Sequence, residues 1–197
     1  MKNIEEYKNL TARQDWLGIF RLNDVPADNF GTRKELAVLG DYLEKDEVVF
    51  AMASGIMKQT ETSNFTDSNF NTWLIVLTSE RILCLDHAFI SSSVDTQSIR
   101  FNQVQAVSAS QGYIFGKISI DIGSRMIVVD NCNKSHVKLF AQFANDLIRQ
   151  METIYKGTSG SALSVTDEIQ NLYDLHTKGM LTDAELSEAK AKLISKL

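Results

Sequence analysis

The spacing of apolar residues changes twice along the chain, and that change constrains the fold more than any motif does. From about Asp46 to Asn131 it is two: Ile118, Ile120 and Ile122 alternate with Ser119 and Asp121, the mark of a strand with one face on a core and one in water. β-Branched and aromatic residues fill short runs bounded by turn formers, giving strand candidates at Glu47 to Met57, Thr72 to Leu77, Arg81 to Asp86, Ile99 to Ser108, Lys117 to Ile122 and Met126 to Val129. The intervals between them are mostly too short for the crossover helices of a parallel sheet. An antiparallel meander or partly closed barrel follows.

On both sides the spacing is helical. Before the strands, Thr11-Ala12-Arg13-Gln14 and Thr32-Arg33-Lys34-Glu35 have the spacing of capping boxes. They precede Trp16 and Phe20, and Leu36, Leu39 and Leu43, respectively. The polar stretch Asn23 to Gly31, which holds the single proline, Pro26, reads as a loop. After the strands, Phe140, Phe143, Leu147, Met151 and Ile154 mark one long helix from His136 to Tyr155, whose apolar stripe must cover the open end or face of the sheet. Lys156 to Ser161 has the small, polar, glycine-punctuated composition of a flexible connector. The expected organisation is an α+β chain with a helical segment at 1–45, a bent antiparallel sheet or barrel closed by one helix at 46–155, a linker at 156–164 and a helical hairpin at 165–197.

That hairpin is locally well specified. Ile169, Leu172 and Leu175 form the stripe of its first helix, Gly179 stops it, Leu181 lies in the turn, and Thr182-Asp183-Ala184-Glu185 has the spacing to open a second helix bearing Leu186, Ala189, Leu193 and Leu197. Two helices in thirty-odd residues fall below the roughly 40 residues at which isolated domains become stable. With each buried leucine worth about 1.5–3 kcal/mol, docking on another surface offsets the ordering cost and self-contact does not. Ile169, Leu172, Leu175, Leu181, Leu186 and Leu193 are therefore the expected docking or oligomerisation face.

Two stretches resemble known families. Leu77-Thr78-Ser79-Glu80-Arg81-Ile82-Leu83-Cys84-Leu85-Asp86, with Tyr113-Ile114-Phe115-Gly116-Lys117-Ile118-Ser119-Ile120, is similar to the bacterial PH-like family, including YokE-like domains, over about 46–155. The resemblance implies a strongly bent sheet of about seven strands closed by a C-terminal helix. Leu172 to Leu186, with Lys190-Ala191-Lys192-Leu193, resembles the short C-terminal SHOCT domain, often appended to such modules. Together the two imply a non-enzymatic interaction module with an oligomerisation or targeting tail. PH domains that hold phosphoinositides place several bases around the first hairpin. Here Lys58 to Asn71 carries only Lys58, beside Glu61 and Asp67, so membrane attachment through charge is not supported.

The residues themselves assemble no catalytic set. Cys84 and His87 lie three apart in a strand, which turns them to opposite faces, and no second ligand pair is near. Ser91, Ser92 and Ser93 lack a nucleophile-elbow frame, and Gly112, Gly116 and Gly123 lack phosphate-loop spacing. No catalytic residue, cofactor or metal is assigned. A net charge of -5 argues against nucleic acid as a partner. No run approaches the ~20 apolar residues of a membrane helix, the first ten residues are too polar for a signal peptide, and two cysteines are too few for a disulfide framework. A cytoplasmic location is the expectation. Phe65, Phe70, Tyr113 and Phe115 fall in or beside turns, where large apolar side chains are hard to bury, and are the candidate surface contacts. The functional expectation is a homo-oligomeric protein-interaction scaffold; the alternative is a peripheral membrane or lipid-binding module, with an enzyme third.

Overall fold

The computed structural model describes residues 4–28, 31–60, 72–87 and 93–159, and beyond them 172, 173, 176, 182, 186, 187, 189 and 190. The chain divides into two compact units, Met1–Arg149 and Gln150–Leu197. In the first unit, strands β1 (Val49–Thr60), β2 (Thr72–Thr78), β3 (Arg81–His87), β4 (Val94–Arg100), β5 (Ala106–Gln111), β6 (Gly116–Asp121) and β7 (Met126–Cys132) form one antiparallel sheet. Its spatial order is β4-β3-β2-β1-β7-β6-β5. Helices α1 (Ile4–Ala12), α2 (Trp16–Leu22) and α3 (Arg33–Val38) precede the sheet and α4 (Lys134–Ser159) follows it. This is the α+β architecture the periodicity implied.

The bend resides in β1. Residues Val49 to Ile56 of β1 pair with β2, whereas Ile56 to Thr60 pair with β7, so a single strand serves both halves of the sheet. Gly55 lies where the halves part. A Cβ there would meet the Asp130 carbonyl oxygen at 2.6 Å, the Cys132 sulfur at 2.6 Å and a Val129 methyl at 2.7 Å, so β7 comes this close only to a glycine. Gly116 plays the same part on β6, where a Cβ would lie 2.6 Å from a methyl of Val137 on α4.

Before Ile56, no strand among the described residues pairs with β1 on its β7 side, and the N-terminal segment supplies partners there. The Val49 amide donates to Thr11 Oγ1 (3.0 Å), the Phe50 carbonyl accepts from Asn23 Nδ2 (2.8 Å), and the Ser54 amide donates to Asp28 Oδ2 (2.9 Å). Buried backbone groups require such partners. This also corrects the expected caps. Thr11 lies inside α1, and Asp15 caps α2 instead, its Oδ1 accepting from the Gly18 amide at 2.8 Å. Thr32 does precede α3, but its hydroxyl bonds Ser54 Oγ (2.7 Å), and the Glu35 carboxylate accepts from the His87 amide at the end of β3 (2.8 Å). Side chains that could have capped helices are taken by the sheet, because buried tertiary partners outcompete local ones.

The central strands β2 and β3 are buried over nearly their whole length, matching their unbroken apolar runs, while β6 alternates buried and half-buried residues as its sequence does. The run expected as one strand from Ile99 to Ser108 is three pieces: the end of β4, a 3₁₀ turn at Phe101–Gln103, and the start of β5. There the Arg100 amide donates to Gln103 Oε1 (3.0 Å) and the Val104 amide to the Phe101 carbonyl (3.1 Å), which closes the turn. The rest of β4, Val94 to Ser98, is an exposed, polar edge strand whose composition hides it.

Within the first unit α4 buries Val137, Phe140, Ala141, Ala144, Leu147 and Ile148; Phe143, expected in the core, is half-buried. Asn145 of α4 acts as a stand-in strand for the sheet edge. Its Nδ2 donates to the Val107 carbonyl (2.6 Å) and its Oδ1 accepts from the Val107 amide (3.3 Å). Asn145→Ala should therefore cost about 1–2 kcal/mol, seen as a shift of the urea midpoint without a change in slope.

Candidate functional site

The stretch that carries the family resemblance is a structural clamp. Thr78, Ser79, Glu80 and Arg81 make the β2–β3 turn, in which Thr78 Oγ1 accepts from the amides of Glu80 (3.1 Å) and Arg81 (3.0 Å) and donates to Glu47 Oε1 (2.6 Å). Arg81 grips the same carboxylate twice, Nε to Oε1 and Nη2 to Oε2, both at 2.9 Å, and Nη2 also donates to the Tyr42 carbonyl (2.9 Å). Ser79 holds the residue before β1 through its amide, which donates to the Val48 carbonyl (2.8 Å), and through Oγ, which accepts from the Val48 amide (3.1 Å). Burial pushes the Glu47 carboxyl up, but hydrogen bonds from Arg81, Thr78 and the Glu44 amide, with the Arg81 charge, outweigh it and hold it below the usual carboxylate range.

The surface with functional character lies at the other end of the sheet. The β5–β6 hairpin turns through Tyr113 and Ile114 and is closed by the Gly112 amide donating to the Phe115 carbonyl (2.8 Å). Tyr113, Ile114 and Phe115 are 97, 68 and 53 % exposed, three consecutive large apolar side chains in solvent. The tip is held by the start of α4: Lys134 Nζ donates to the Tyr113 carbonyl, and Gln111 Nε2 donates to the Lys134 carbonyl (2.9 Å). A loop this well tied does not collapse to hide its side chains.

Beside the tip is a cleft of about 550 Å³ at the parting of β1 from β7. Ser54, Gly55 and Ile56 form its β1 wall, Ile114 and Phe115 its apolar side, and Asp28 and Lys134 bring one charge of each sign. Asn131 and Asn133 line it where the chain leaves β7 for α4. Asn131 takes a left-handed backbone (φ 58°), and Asn133 caps α4, its Oδ1 accepting from the Ser135 amide at 3.1 Å. The expected contacts Tyr113 and Phe115 thus share one patch. Ile114, Asp28 and Lys134 were not signalled as its members; only the position of Ile114 between two aromatic residues in a turn hinted at it.

The thiols and His136 are packed in the interior. Cys84 and Cys132 are buried, and burial pushes both thiols up to about 12, so neither is a nucleophile at neutral pH. His136 in the first turn of α4 is buried, with its ring edge-on to Phe20 at 5.4 Å and Nε2 2.8 Å from the Pro26 carbonyl. A carbonyl only accepts, so the neutral ring carries its proton on Nε2. Burial drives the His136 pKa below its ordinary 6.5, against the pull of Asp28 and the Pro26 bond. The unfolded chain therefore binds this proton first as pH falls, and His136 contributes stability that is complete above about 6.5 and is lost below it. Denaturant midpoints from pH 7.5 to 5.5 should fall in the wild type and fall less in His136→Gln.

Of the tail residues, Leu186 is buried and Leu172 half-buried, and Lys190 Nζ lies 3.6 Å from the centre of the Tyr173 ring. Ile169, Leu175, Leu181, Leu193, Phe65 and Phe70 lie outside the described residues. Among the described residues no helix is long and apolar enough to cross a membrane, and no three His, Cys, Asp or Glu side chains gather as a metal site would require.

A bent seven-stranded antiparallel sheet, entered by one strand common to both halves and followed by a long helix packed on it, defines a PH-like domain. The family model described as the bacterial PH domain matches residues 43–146, and the chain belongs to that family. Among solved structures it is similar to the Vps36 N-terminal PH domain, at 15% identity and a TM-score of 0.42, covering 56% of this chain and 86% of that one. It is also similar to a duf1696 family protein with a pleckstrin-homology domain from Shewanella loihica, at 13% identity and 0.38, covering 59% and 89%. The hSac2 domain from human phosphoinositide phosphatase Sac2 matches at 12% identity and 0.38, covering 61% and 85%. No curated protein matches the chain.

Proposed function

We propose that this chain is a non-enzymatic, cytoplasmic protein-docking module. The observation that carries the reading is the exposed trio Tyr113, Ile114 and Phe115 on a hairpin tied to α4, beside a cleft of mixed polarity. Tyrosine and other large aromatic side chains, held rigid beside a concavity, are what protein hot spots are made of. Among the described residues the cleft collects no nucleophile–base pair and no ligand set. Its opposed charges, Asp28 and Lys134, suit a peptide surface better than an anionic one. The YokE-like and SHOCT resemblances agree with this reading, in which Leu172, Leu186 and the other leucines of the tail supply a second docking face.

The test is site-specific photo-crosslinking in the host cell. With benzoylphenylalanine in place of Tyr113, protease-sensitive adducts should form that are absent when the probe replaces the exposed Lys8. Equal adducts at both positions, or none at 113, would sink the docking role of the hairpin. Leu186→Asp should separately remove any association carried by the tail.

A further inference from the structure

We infer that the segment Asp24 to Asp28 is a proton-operated strap, which a neutral His136 holds down and a protonated His136 lifts while the rest of the first unit stays folded. The strap is fastened by polar bonds and not by burial. Its two ends are firm. Asn23 is buried, taking the Tyr7 hydroxyl on Oδ1 and giving Nδ2 to the Phe50 carbonyl, and Thr32 is buried with its hydroxyl on Ser54 Oγ. Between them Asp24, Pro26 and Ala27 are exposed, and Val25 and Asp28 are half-buried. Past Val25, whose amide donates to the Phe20 carbonyl (3.1 Å), two bonds reach the body among the described residues. One joins the Pro26 carbonyl to His136 Nε2 (2.8 Å); the other joins Asp28 Oδ2 to the Ser54 amide (2.9 Å). A segment with so few buried apolar contacts opens at lower cost than the unit that carries it.

His136 is the fastener that a proton can undo. The residue is 1% exposed, and Nδ1 is buried with no hydrogen-bond partner. In the neutral ring that atom is a bare lone pair. A proton there creates a buried cation whose new N–H has no acceptor, which is costly until water reaches it. Phe20, edge-on to the ring, is itself core and does not give way; the strap, largely in solvent, does.

The surrounding charges leave the proton on His136 in control. Asp28 on the strap draws a proton to the ring, and burial outweighs that pull. On α4, Lys134 Nζ is bonded to the Tyr113 carbonyl. On β7, Asp130 pairs with Lys58 (3.8 Å), and the Cys132 thiol, pushed up to about 12, stays neutral throughout. Because Asp28 and Ser54 both line the cleft, lifting the strap removes the carboxylate from that wall and bares the Ser54 amide.

Native-state hydrogen exchange by NMR on the full chain tests this. The imidazole has its ordinary value near 6.5 in the open strap and a lower one in the closed strap, so falling pH favours opening. Corrected for intrinsic rates, protection of the Ser54 amide should fall several-fold from pH 7.5 to 5.5, about tenfold at most. At both pH values it should stay well below that of Ile75 and Leu83 in the central strands. His136→Gln keeps a neutral donor for the Pro26 carbonyl and should hold Ser54 protected at both pH values. His136→Leu removes the bond without adding charge and should leave Ser54 poorly protected at both. Ser54 protection equal to that of Ile75 and Leu83, no pH dependence in the wild type, or the same dependence in His136→Gln overturns the inference.

Discussion

Arg81→Leu should destabilise the first unit by about 3–5 kcal/mol, the range for removing one partner of a buried ion pair. The reason is what it leaves behind. The Glu47 side chain is 0% exposed, and without the guanidinium it keeps only Thr78 Oγ1 and the Glu44 amide against the cost of burying a charge. Arg81, at 11% exposed, is the only cation paired with it among the described residues. Replacing both groups, Glu47→Leu with Arg81→Met, removes the stranded charge and should cost less than Arg81→Leu alone; a double-mutant cycle from urea unfolding checks the difference. The pH dependence has a definite sign. Because the folded-state pKa of Glu47 is lowered, its contribution is complete above the unfolded value near 4.5 and disappears as pH falls through the folded one. Of the two losses in an acid titration of stability, the one that begins near 6.5 belongs to His136 and the one that begins near 4.5 to Glu47. Arg81→Leu should remove the lower one.

Gly55→Ala should cost about 3 kcal/mol, the upper end of the range for overpacking a close contact. Three atoms stand within 2.7 Å of the new Cβ, and one of them is the backbone carbonyl oxygen of Asp130, which cannot step aside without parting β1 from β7. Gly40→Ala is the informative control. The three atoms nearest its new Cβ all belong to the Gln14 side-chain amide, which can rotate away, so the loss there should stay below about 1 kcal/mol. Similar losses at both sites would show that glycine backbone entropy, and not the close approach at the bend, sets the effect.

Much of this was legible before the structure. The alternation of Ile118 and Ile120 with Ser119 and Asp121 specifies a half-buried strand, and the unbroken runs at Leu74–Leu77 and Ile82–Leu85 specify strands too. The runs did not say why they are unbroken. One face of β2 and β3 meets the core of the sheet and α3 packs on the same strands, a contact with residues distant in sequence. Most of strand β4 carries no such signal, because an edge strand buries little and so has no need of apolar residues. At the candidate site, the aromatic character of the turn at Tyr113 and Phe115 could be read directly. Asp28, Ser54 and Lys134 could not, since they lie far apart in the chain and share a cleft only because β1 leaves β7 at Gly55.

Sequence alone therefore determined the local periods: the apolar and alternating strands, the helices on either side of them, and that the strands run antiparallel, because those depend on the side chains of near neighbours and on loop lengths, whereas the polar edge strand β4 has no such period. Tertiary structure decided where each polar side chain is spent. Thr11 and Thr32 carry a helix-cap pattern and serve β1 instead, because a buried amide or hydroxyl with no other partner is a costlier vacancy than a helix end that water can reach.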